Sequence, residues 1–338
     1  MNDTTSITPH HPANACVKAT ANRSGVPEAI SSVWITVADL AVALDFYARV
    51  LSFSVEKEYS LACEGIQQLF GIVEKDARLK VARLRLGNER IELMEFAGTT
   101  EGRAIPPDSR SNDGWFQHLA IVVSDMNAAY EHLSSHHVRH VSTAPQTLPD
   151  YLGPAAGISA FYFRDPDGHN LELISFPDGK GDPKWQLCGD DLFLGIDHTA
   201  IVVDASHECM SFYCNTLGLE VAGRSENYGS EQEHLNQVFG ARLFITGLQA
   251  LKGMGLEILD YVAPPGGRPY PTDSRLTDLW HWHTAIRVAD VDSTYAAVTA
   301  KKYPLVSKGI IELENGELEM SKAFLFRGAR NHAFLIYE

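Results

Sequence analysis

Four segments of the chain share one pattern, in which an alternating apolar strand leads directly into an amphipathic helix. The strand–helix pairs are 33–39 with 40–51, 119–125 with 126–133, 201–203 with 207–217, and 286–290 with 291–298. Short strands separated by turn residues follow each helix, as in 160–164 and 170–176 around the Asp-Pro-Asp-Gly turn at 165–168. This order predicts an α+β fold, with helices on one face of curved, mostly antiparallel sheets. The other face of each sheet is then free to enclose a cavity.

The second half of the chain repeats the first. Residues 107–125 return as residues 272–290, so that Asp108 corresponds to Asp273 at a spacing of 165 residues. Residues 90–96 correspond to 255–261 at the same spacing. A repeat of this length predicts two homologous halves. We expect a first domain over 29–177, a linker over 178–193 and a second domain over 194–338, with 1–28 as a disordered leader or peripheral arm.

Composition narrows the class of protein. The chain has 338 residues, 45% hydrophobic and 21% charged, which is ordinary for a soluble globular protein of about two domains. Its net charge of -15 disfavours nucleic acid as a partner. No stretch approaches the length of about 20 apolar residues that a membrane span needs. Five scattered cysteines without a CxxC motif favour a reduced, cytoplasmic protein.

Strand alternation separates apolar side chains from a repeated set of polar ones. Glu92, Glu172 and Glu257 each lie between two apolar strand residues, so they point away from the helices and towards the concave face. The histidines His118, His198 and His283 each begin an apolar strand and share a face with an alanine two residues on. A single such histidine is usually a hydrogen-bonded core or rim residue, and a single such glutamate is usually solvated. Recurrence in equivalent positions favours metal binding instead.

Several motifs carry a family resemblance. The strand-histidine pattern, together with FYARVLSF (46–53), FYCNTLGL (212–219) and FRDPDGHNLELISF (163–176), resembles the vicinal oxygen chelate superfamily. That superfamily includes glyoxalase I, bleomycin-resistance proteins and type I extradiol dioxygenases. The resemblance implies four βαβββ modules paired into two halves, each a curved sheet around one cavity. It also implies one metal ligand from the first strand and one from the last strand of each module.

Each half then offers a ligand set with one position missing. The second half offers His198, Glu257 and His283, with Leu335 in the fourth position. The first half offers Glu92, His118 and Glu172, with Ser32 in the fourth position, and we expect this more anionic set to bind metal more weakly. If it is empty, a proton, a water or an arginine should lie between its carboxylates. Two histidines and one carboxylate favour Fe(II) or Mn(II), with Zn(II) or Ni(II) as alternatives.

Four further residues are candidates for catalysis or substrate binding. Tyr228 and His234 lie in a polar segment, 228–236, that resembles a mobile loop over the cavity, and His281 shares a strand face with His283. All three have suitable acid–base chemistry, although a surface loop and a rim histidine are the plainer interpretation of each. Arg287 could meet an anionic substrate group or pair with a structural carboxylate.

The predicted function is that of a metal-dependent enzyme acting on a small vicinal diol, catechol-like or hydroxycarbonyl molecule. Its four-module length favours a ring-cleaving dioxygenase. A glyoxalase-type isomerase or lyase is the nearest alternative, and a metal-free binding protein of the bleomycin-resistance kind is the second. We expect a small-molecule substrate and no nucleic acid or membrane partner, and the sequence leaves open whether the chain forms a homodimer.

Overall fold

The computed structural model describes residues 27–187, 189–265, 267–313 and 318–338. Most of the predicted leader lies outside the described residues, and only its last two positions fall within the first strand, Pro27–Thr36. The predicted α+β arrangement of four strand–helix modules is confirmed. Among the described residues, no helix is long and apolar enough to cross a membrane.

The strands divide by module. The first module holds β1 (Pro27–Thr36), β2 (Ser54–Leu61), β3 (Arg78–Leu86) and β4 (Glu89–Ala97). The second holds β5 (Gln117–Val123), β6 (Arg139–His140), β7 (Gln146–Thr147), β8 (Ser159–Arg164) and β9 (Asn170–Ser175). The third holds β10 (Phe193–Val202), β11 (Glu220–Tyr228), β12 (Arg242–Gln249), β13 (Lys252–Gly253) and β14 (Gly255–Ala263). The fourth holds β15 (Trp282–Val288), β16 (Ile311–Glu312), β17 (Lys322–Arg327) and β18 (Ala333–Tyr337).

Helices follow the first strand of each module, as predicted. They are α1 (Leu40–Asp45), α3 (Met126–Ser135), α4 (Ser206–Met210) and α6 (Val291–Ala300), while α2 (Glu64–Leu69) and α5 (Ser230–Asn236) are additional short helices. Asp39, Asp125 and Asp290 start three of these helices, because each carboxylate accepts hydrogen bonds from backbone N–H groups of the first turn. The first and third helices continue as π-helical turns, Phe46–Val50 and Ser211–Thr216.

The modules pair differently from the prediction. We expected the two modules of each half to share one cavity, but the first module forms a sheet with the fourth, and the second with the third. The strand order is β16-β17-β18-β15-β1-β4-β3-β2 in sheet A and β11-β12-β14-β10-β5-β9-β8-β6 in sheet B. Antiparallel pairs join the modules, β1 with β15 and β5 with β10. Because of the repeat, the second and fourth modules have equivalent sequence patterns. The pattern alone therefore does not indicate which of the two pairs with the first module.

The predicted division of strand faces is confirmed. Leucines and isoleucines of β4, β9 and β14 pack with the helices in one buried core that extends over both sheets. Glu92, Glu172 and Glu257 lie on the opposite, concave faces. The core therefore leaves one face of each sheet available for a site.

Two reciprocal arginine–aspartate clusters tie the halves together. Arg268 binds Asp113 at 2.7 Å and Asp108 at 3.0 Å, and the equivalent Arg103 binds Asp278 at 2.7 Å and Asp273 at 3.0 Å. Each guanidinium also lies over a tryptophan of the other half, at 4.7 Å for Trp115 and 4.8 Å for Trp280. The repeated Asp-Ser-Arg turns, 108–110 and 273–275, thus have a structural role, and the principal arginine partner of each comes from the opposite half.

Replacing the arginine of one of these arginine–aspartate clusters should destabilise the whole fold. Asp113 is buried, so Arg268→Met leaves an uncompensated carboxylate and should lower the free energy of unfolding by about 2 to 3 kcal/mol. Arg49→Met removes an exposed arginine–aspartate pair on a helix and should leave the free energy of unfolding nearly unchanged. Urea denaturation of both variants measures the free energy of unfolding. An equal decrease in the two variants would contradict the structural role of the arginine–aspartate clusters.

Candidate functional site

Four side chains of the two repeated ligand types, histidine and glutamate, converge at the centre of sheet B. They are His118 on β5, Glu172 on β9, His198 on β10 and Glu257 on β14. In the β5–β10 register His118 is opposite Ala200 and His198 is opposite Ala120. Glu257 is level with Ala200, and Glu172 with Ala120. Two rows of side chains therefore run across the strands, His118–Ala200–Glu257 and Glu172–Ala120–His198. In each row the small alanine side chain leaves space between the histidine and the glutamate.

The distances between the donor atoms fit a single cation. His118 Nε2 lies 3.0 Å from Glu172 Oε2 and 3.3 Å from His198 Nε2. His198 Nε2 lies 3.6 Å from Glu172 Oε2 and 3.4 Å from Glu257 Oε2. Atoms bonded to one divalent ion at about 2.1 Å are about 3.0 to 3.4 Å apart. Nitrogen and carboxylate donors at this spacing suit a divalent transition metal.

A second layer of contacts orients His198. Its Nδ1 lies 2.9 Å from Asp197 Oδ2, and the Trp185 indole donates to Asp197 Oδ1 at 2.8 Å. With Nδ1–H donating to this carboxylate, the Nε2 lone pair is directed at the other three donors, which is the usual arrangement around a metal-bound histidine. Trp185 belongs to the predicted linker, so this segment also supports the site.

The two glutamates of the set have opposite electrostatic environments. Burial raises the pKa of Glu172, but the two imidazoles outweigh it and hold that pKa at about 2. Burial also raises the pKa of Glu257, and the neighbouring Glu172 charge adds to the increase against the effect of His198. Burial lowers the pKa of His198, yet Glu257, Asp197 and Glu172 together raise it well above its usual range. The metal-free site thus concentrates negative charge that a cation would neutralise.

A cavity of about 970 Å³ opens on the concave face of sheet B. Glu172, His198 and Glu257 line it, and the side chain of Glu257 is 29% exposed compared with 7% for Glu172. The buried Tyr162 also lines the cavity, with its ring centroid 5.0 Å from that of His118. Burial raises the pKa of Tyr162 well above its usual range, with further increases from Glu172, Tyr261 and Glu257, so its hydroxyl stays protonated.

Neither of the predicted ligand sets comes together as a unit. His198 and Glu257 lie in sheet B, whereas His283 lies in sheet A. His118 and Glu172 lie in sheet B, whereas Glu92 lies in sheet A. The exchange of modules between halves is the reason, because each set had been drawn from one half. Among the described residues, His118, Glu172 and His198 form the one group whose donor atoms all lie within 4.8 Å of one another.

The predicted catalytic and substrate residues lie elsewhere. Tyr228 and His234 are exposed and outside the cavity lining, since segment 228–236 is a strand end followed by α5 rather than a loop. His281 is buried in sheet A next to His283, at 3.2 Å between ring nitrogens. Arg287 is exposed and pairs with Glu28 at 2.9 Å. Their side-chain chemistry alone makes these residues candidates, whereas the module pairing decides which cavity each of them can reach.

Sequence reasoning also missed residues that the site uses. Asp197 precedes the ligand position directly, so an acidic residue beside His198 was an available signal. Tyr162 follows the same strand alternation that identified the glutamates, since Phe161 and Phe163 on either side of it point into the core. Trp185 had no signal, because it lies in a segment of predicted linker.

The equivalent place in sheet A is filled. In the strand register Trp34 is level with Glu92 and opposite His283, so it stands where sheet B has an alanine. Its ring stacks on the His283 imidazole, with 5.3 Å between the ring centroids. Arg83 binds Glu92 at 2.7 Å and Glu319 at 2.8 Å, and Tyr59 donates a hydrogen bond to Glu92 at 3.2 Å. An arginine thus neutralises Glu92, but its second carboxylate is Glu319 and not Glu172. The expected pair of facing carboxylates, Glu92 and Glu172, does not form, because the two residues lie in different sheets.

The remaining concave face of sheet A is apolar. Buried aliphatic and aromatic side chains surround Trp34, including Leu335 at the fourth ligand position. Burial, together with the charge of Arg327, lowers the pKa of His283 to about 3, so this histidine is neutral at pH 7. Sheet A therefore has the character of a packed core, and sheet B has that of a binding site.

Comparisons with known proteins agree with this architecture. A model of the Glyoxalase/Bleomycin resistance protein/Dioxygenase superfamily matches residues 29–173 and 195–308. The 2-epi-5-epi-valiolone epimerase of Actinomyces sp is 35% identical over 161 residues, covering 46% of this chain and 84% of that protein. Glyoxalase domain-containing protein RDO1 of Mycosarcoma maydis is 31% identical over 147 residues, covering 43% of this chain and 67% of that protein. Glyoxalase I from Zea mays has the same fold, with a TM-score of 0.58, 15% identity and coverage of 92% of each chain.

Metal binding should depend on sheet B alone. We expect about one divalent ion per chain, lost in His198→Ala and in Glu172→Ala, because each removes a donor from the convergent set. His283→Ala should keep the ion, since this imidazole lies in sheet A. Elemental analysis after dialysis measures the content, and loss of metal in His283→Ala would contradict the assignment to sheet B.

The buried histidine of sheet A should make stability depend on pH. His283 has a pKa of about 3 in the folded protein and about 6.5 when unfolded, so its favourable contribution is complete above pH 6.5 and decreases as the pH falls towards 3. Within that range each pH unit costs about 1.4 kcal/mol. His283→Phe, which keeps a ring against Trp34, should therefore lose about 2 kcal/mol less than the unmodified protein between pH 6.5 and 5.

Urea titrations at the two pH values measure this difference. His207→Phe changes an exposed histidine and should keep the original profile. An equal pH dependence in His283→Phe would show that this imidazole does not remain neutral in the fold.

Proposed function

Since the chain belongs to the Glyoxalase/Bleomycin resistance protein/Dioxygenase superfamily, we propose that it is a metal-dependent isomerase or epimerase. Its substrate is a small molecule with adjacent oxygens, one of them a carbonyl, and the reaction moves a proton at the carbon next to that carbonyl. The observation that carries this proposal is the convergence of two histidines and two glutamates, with one glutamate exposed to the cavity.

The four residues divide into ligands and a base. His118, His198 and Glu172 would hold the cation, because their donor atoms are mutually close and almost completely buried. A bound divalent cation supplies Lewis-acid stabilisation of the negative charge that develops on adjacent oxygens. Glu257 reaches the same centre, but its greater exposure places it where it can take a proton from a bound molecule.

Tyr162 provides a hydrogen-bond donor beside the base. Tyr162 lines the cavity and its hydroxyl stays protonated, so it would donate to a substrate oxygen without itself removing a proton. The proton taken by Glu257 returns either to the same carbon or to its oxygenated neighbour. Either outcome balances atoms and charge without an oxidant or a second substrate. The relative named as an epimerase supports this class of reaction.

A ring-cleaving dioxygenase is the second candidate. His118, Glu172 and His198 by themselves form a set of two histidines and one carboxylate, which would hold Fe(II), and Fe(II) would supply oxygen chemistry for a catechol-like substrate. In that case Glu257 is neither a ligand nor an essential base. We favour proton transfer because the Glu257 Oε2 atom lies 3.4 Å from His198 Nε2. Glu257 has the same place in its row of side chains as Glu172 has in the other row. The close approach of the His118, Glu172 and His198 donor atoms argues against a metal-free binding protein.

Deuterium exchange tests the proposal directly. The protein loaded with Mn(II), Fe(II), Ni(II) or Zn(II) is incubated in D₂O with hydroxyacetone or 2-epi-5-epi-valiolone, and proton NMR follows exchange next to the carbonyl. We expect metal-dependent exchange that falls about 100-fold or more in Glu257→Gln, because the base is lost, while this variant keeps metal. Glu172→Gln should lose both metal and exchange, and Tyr162→Phe should keep metal and exchange about 10-fold more slowly.

The same variants separate the two candidate reactions. Oxygen uptake with catechol, retained in Glu257→Gln, would support the dioxygenase and contradict the isomerase. Exchange at the original rate in Glu257→Gln would also contradict the assigned base.

A further inference from the structure

A chain of buried polar side chains leads to the cavity from the side of α5. Asn227 donates to Gln232 at 3.0 Å, Gln232 donates to Asn236, and Asn236 donates to the hydroxyl of Tyr261. All four residues are at least nine-tenths buried. None of them belongs to the metal-ligand set.

The second module holds this chain in place. The hydroxyl of Ser142 donates to the carbonyl of Leu235 at 2.7 Å, and that of Ser111 donates to the carbonyl of Asn236 at 2.8 Å. Two serines outside the cavity lining thus bind the carbonyl groups at the end of α5. This arrangement fixes α5 as one wall of the cavity rather than as a mobile cover.

One end of the chain is unsatisfied. Asn227 and Gln232 both line the cavity, and the Asn227 Oδ1 atom is buried without a hydrogen-bond partner among the described residues. An unpaired buried amide oxygen is unfavourable unless a bound molecule or water pairs with it. Asn227 therefore presents an unused acceptor in the same cavity as the metal-ligand set.

The amides allow two directions of hydrogen bonding. In the direction given above, the free group of Asn227 is an acceptor. If the Tyr261 hydroxyl donates to Asn236 instead, each amide can reverse its role, and the free group of Asn227 becomes a donor. A hydroxyl group both donates and accepts, so it suits either direction. A carboxylate only accepts and an ammonium only donates, so each suits one direction alone.

We propose that Asn227 is a specificity-determining residue that binds a hydroxyl group of the substrate, remote from the oxygens at the metal-ligand set. The substrate class is then a polyhydroxylated carbonyl compound with at least one hydroxyl beyond the reacting pair. This inference rests on the proposed function only in taking the sheet B cavity as the substrate site. It assigns Asn227 to binding and not to proton transfer.

Binding of matched polyols tests the assignment without any turnover. The Zn(II)-loaded full chain is titrated with the inositol stereoisomers and with their monodeoxy analogues, by ligand-observed NMR and by thermal shift. The original protein should bind at least one isomer about tenfold or more tightly than its deoxy analogue, because the missing hydroxyl leaves Asn227 unpaired. Asn227→Leu should bind the pair equally, with both affinities near that of the deoxy analogue.

Three further variants complete the test. Asn112→Leu removes a buried amide with an equally unpartnered Oδ1 outside the cavity and should keep the preference. Asn227→Asp keeps an acceptor at the same place and should also keep it. Asn227→Ser, which cannot reach the same position, replaces Asn227→Leu if the latter does not fold.

The outcomes decide the proposal independently of the reaction. A preference that survives in Asn227→Leu, or in Asn227→Ser where that variant replaces it, would overturn the proposal and leave Asn227 paired with water only. Failure of every isomer to bind the original protein would overturn it as well. Absence of deuterium exchange with a retained hydroxyl preference would overturn the proposed reaction while leaving the role of Asn227 intact.

Discussion

The antiparallel pairing of β5 with β10 determines which of the repeated polar residues meet. Its register sets His118 and His198 on adjacent rows of one face, each opposite an alanine, and the parallel neighbours β9 and β14 add a glutamate to each row. Pairing within each half would have given two incomplete sets, one ending in Ser32 and the other in Leu335. Exchange of modules instead assembles a complete set in sheet B and leaves both incomplete positions in sheet A.

Sheet A shows what the same strand arrangement contains when Ser32 and Leu335 stand at two of the four ligand positions. A buried carboxylate needs a compensating charge, and Arg83 supplies it to Glu92 from the neighbouring strand. The space that a cation and substrate would occupy is taken by Trp34, which stacks on His283. One sheet thus gains packing and the other keeps a cavity, although both have the same strand order.

Much of the fold follows from local pattern. The helix starts at Asp39, Asp125 and Asp290 and the inward and outward faces of the strands depend on nearby residues, so the sequence predicts them correctly. The choice of partner module does not depend on nearby residues. It depends on contacts such as those of Arg103 and Arg268 with the opposite half, and the two halves carry these contacts in equivalent positions.

The same reasoning explains the success and failure at the site. All four residues that converge were identified as ligand types, because strand alternation is local, but they were assigned to the wrong sets. The contrast of Ser32 and Trp34 with the His-x-Ala pattern of β5 and β10 was visible in the sequence as a sign of a filled site. Tyr228, His234 and Arg287 were chosen by chemical type, which does not tell whether a side chain reaches a cavity.

The module exchange has a consequence for how the two halves can diverge. Each half contributes one histidine and one glutamate to the same four-residue set, so neither half can lose its pair without loss of the whole set. After a duplication, one copy can usually change while the other keeps its role. Here the two modules that lie outside the convergent set, the first and the fourth, come from different copies. The convergent polar set and the packed apolar face therefore lie on different sheets, and the boundary between them runs through the middle of each repeat.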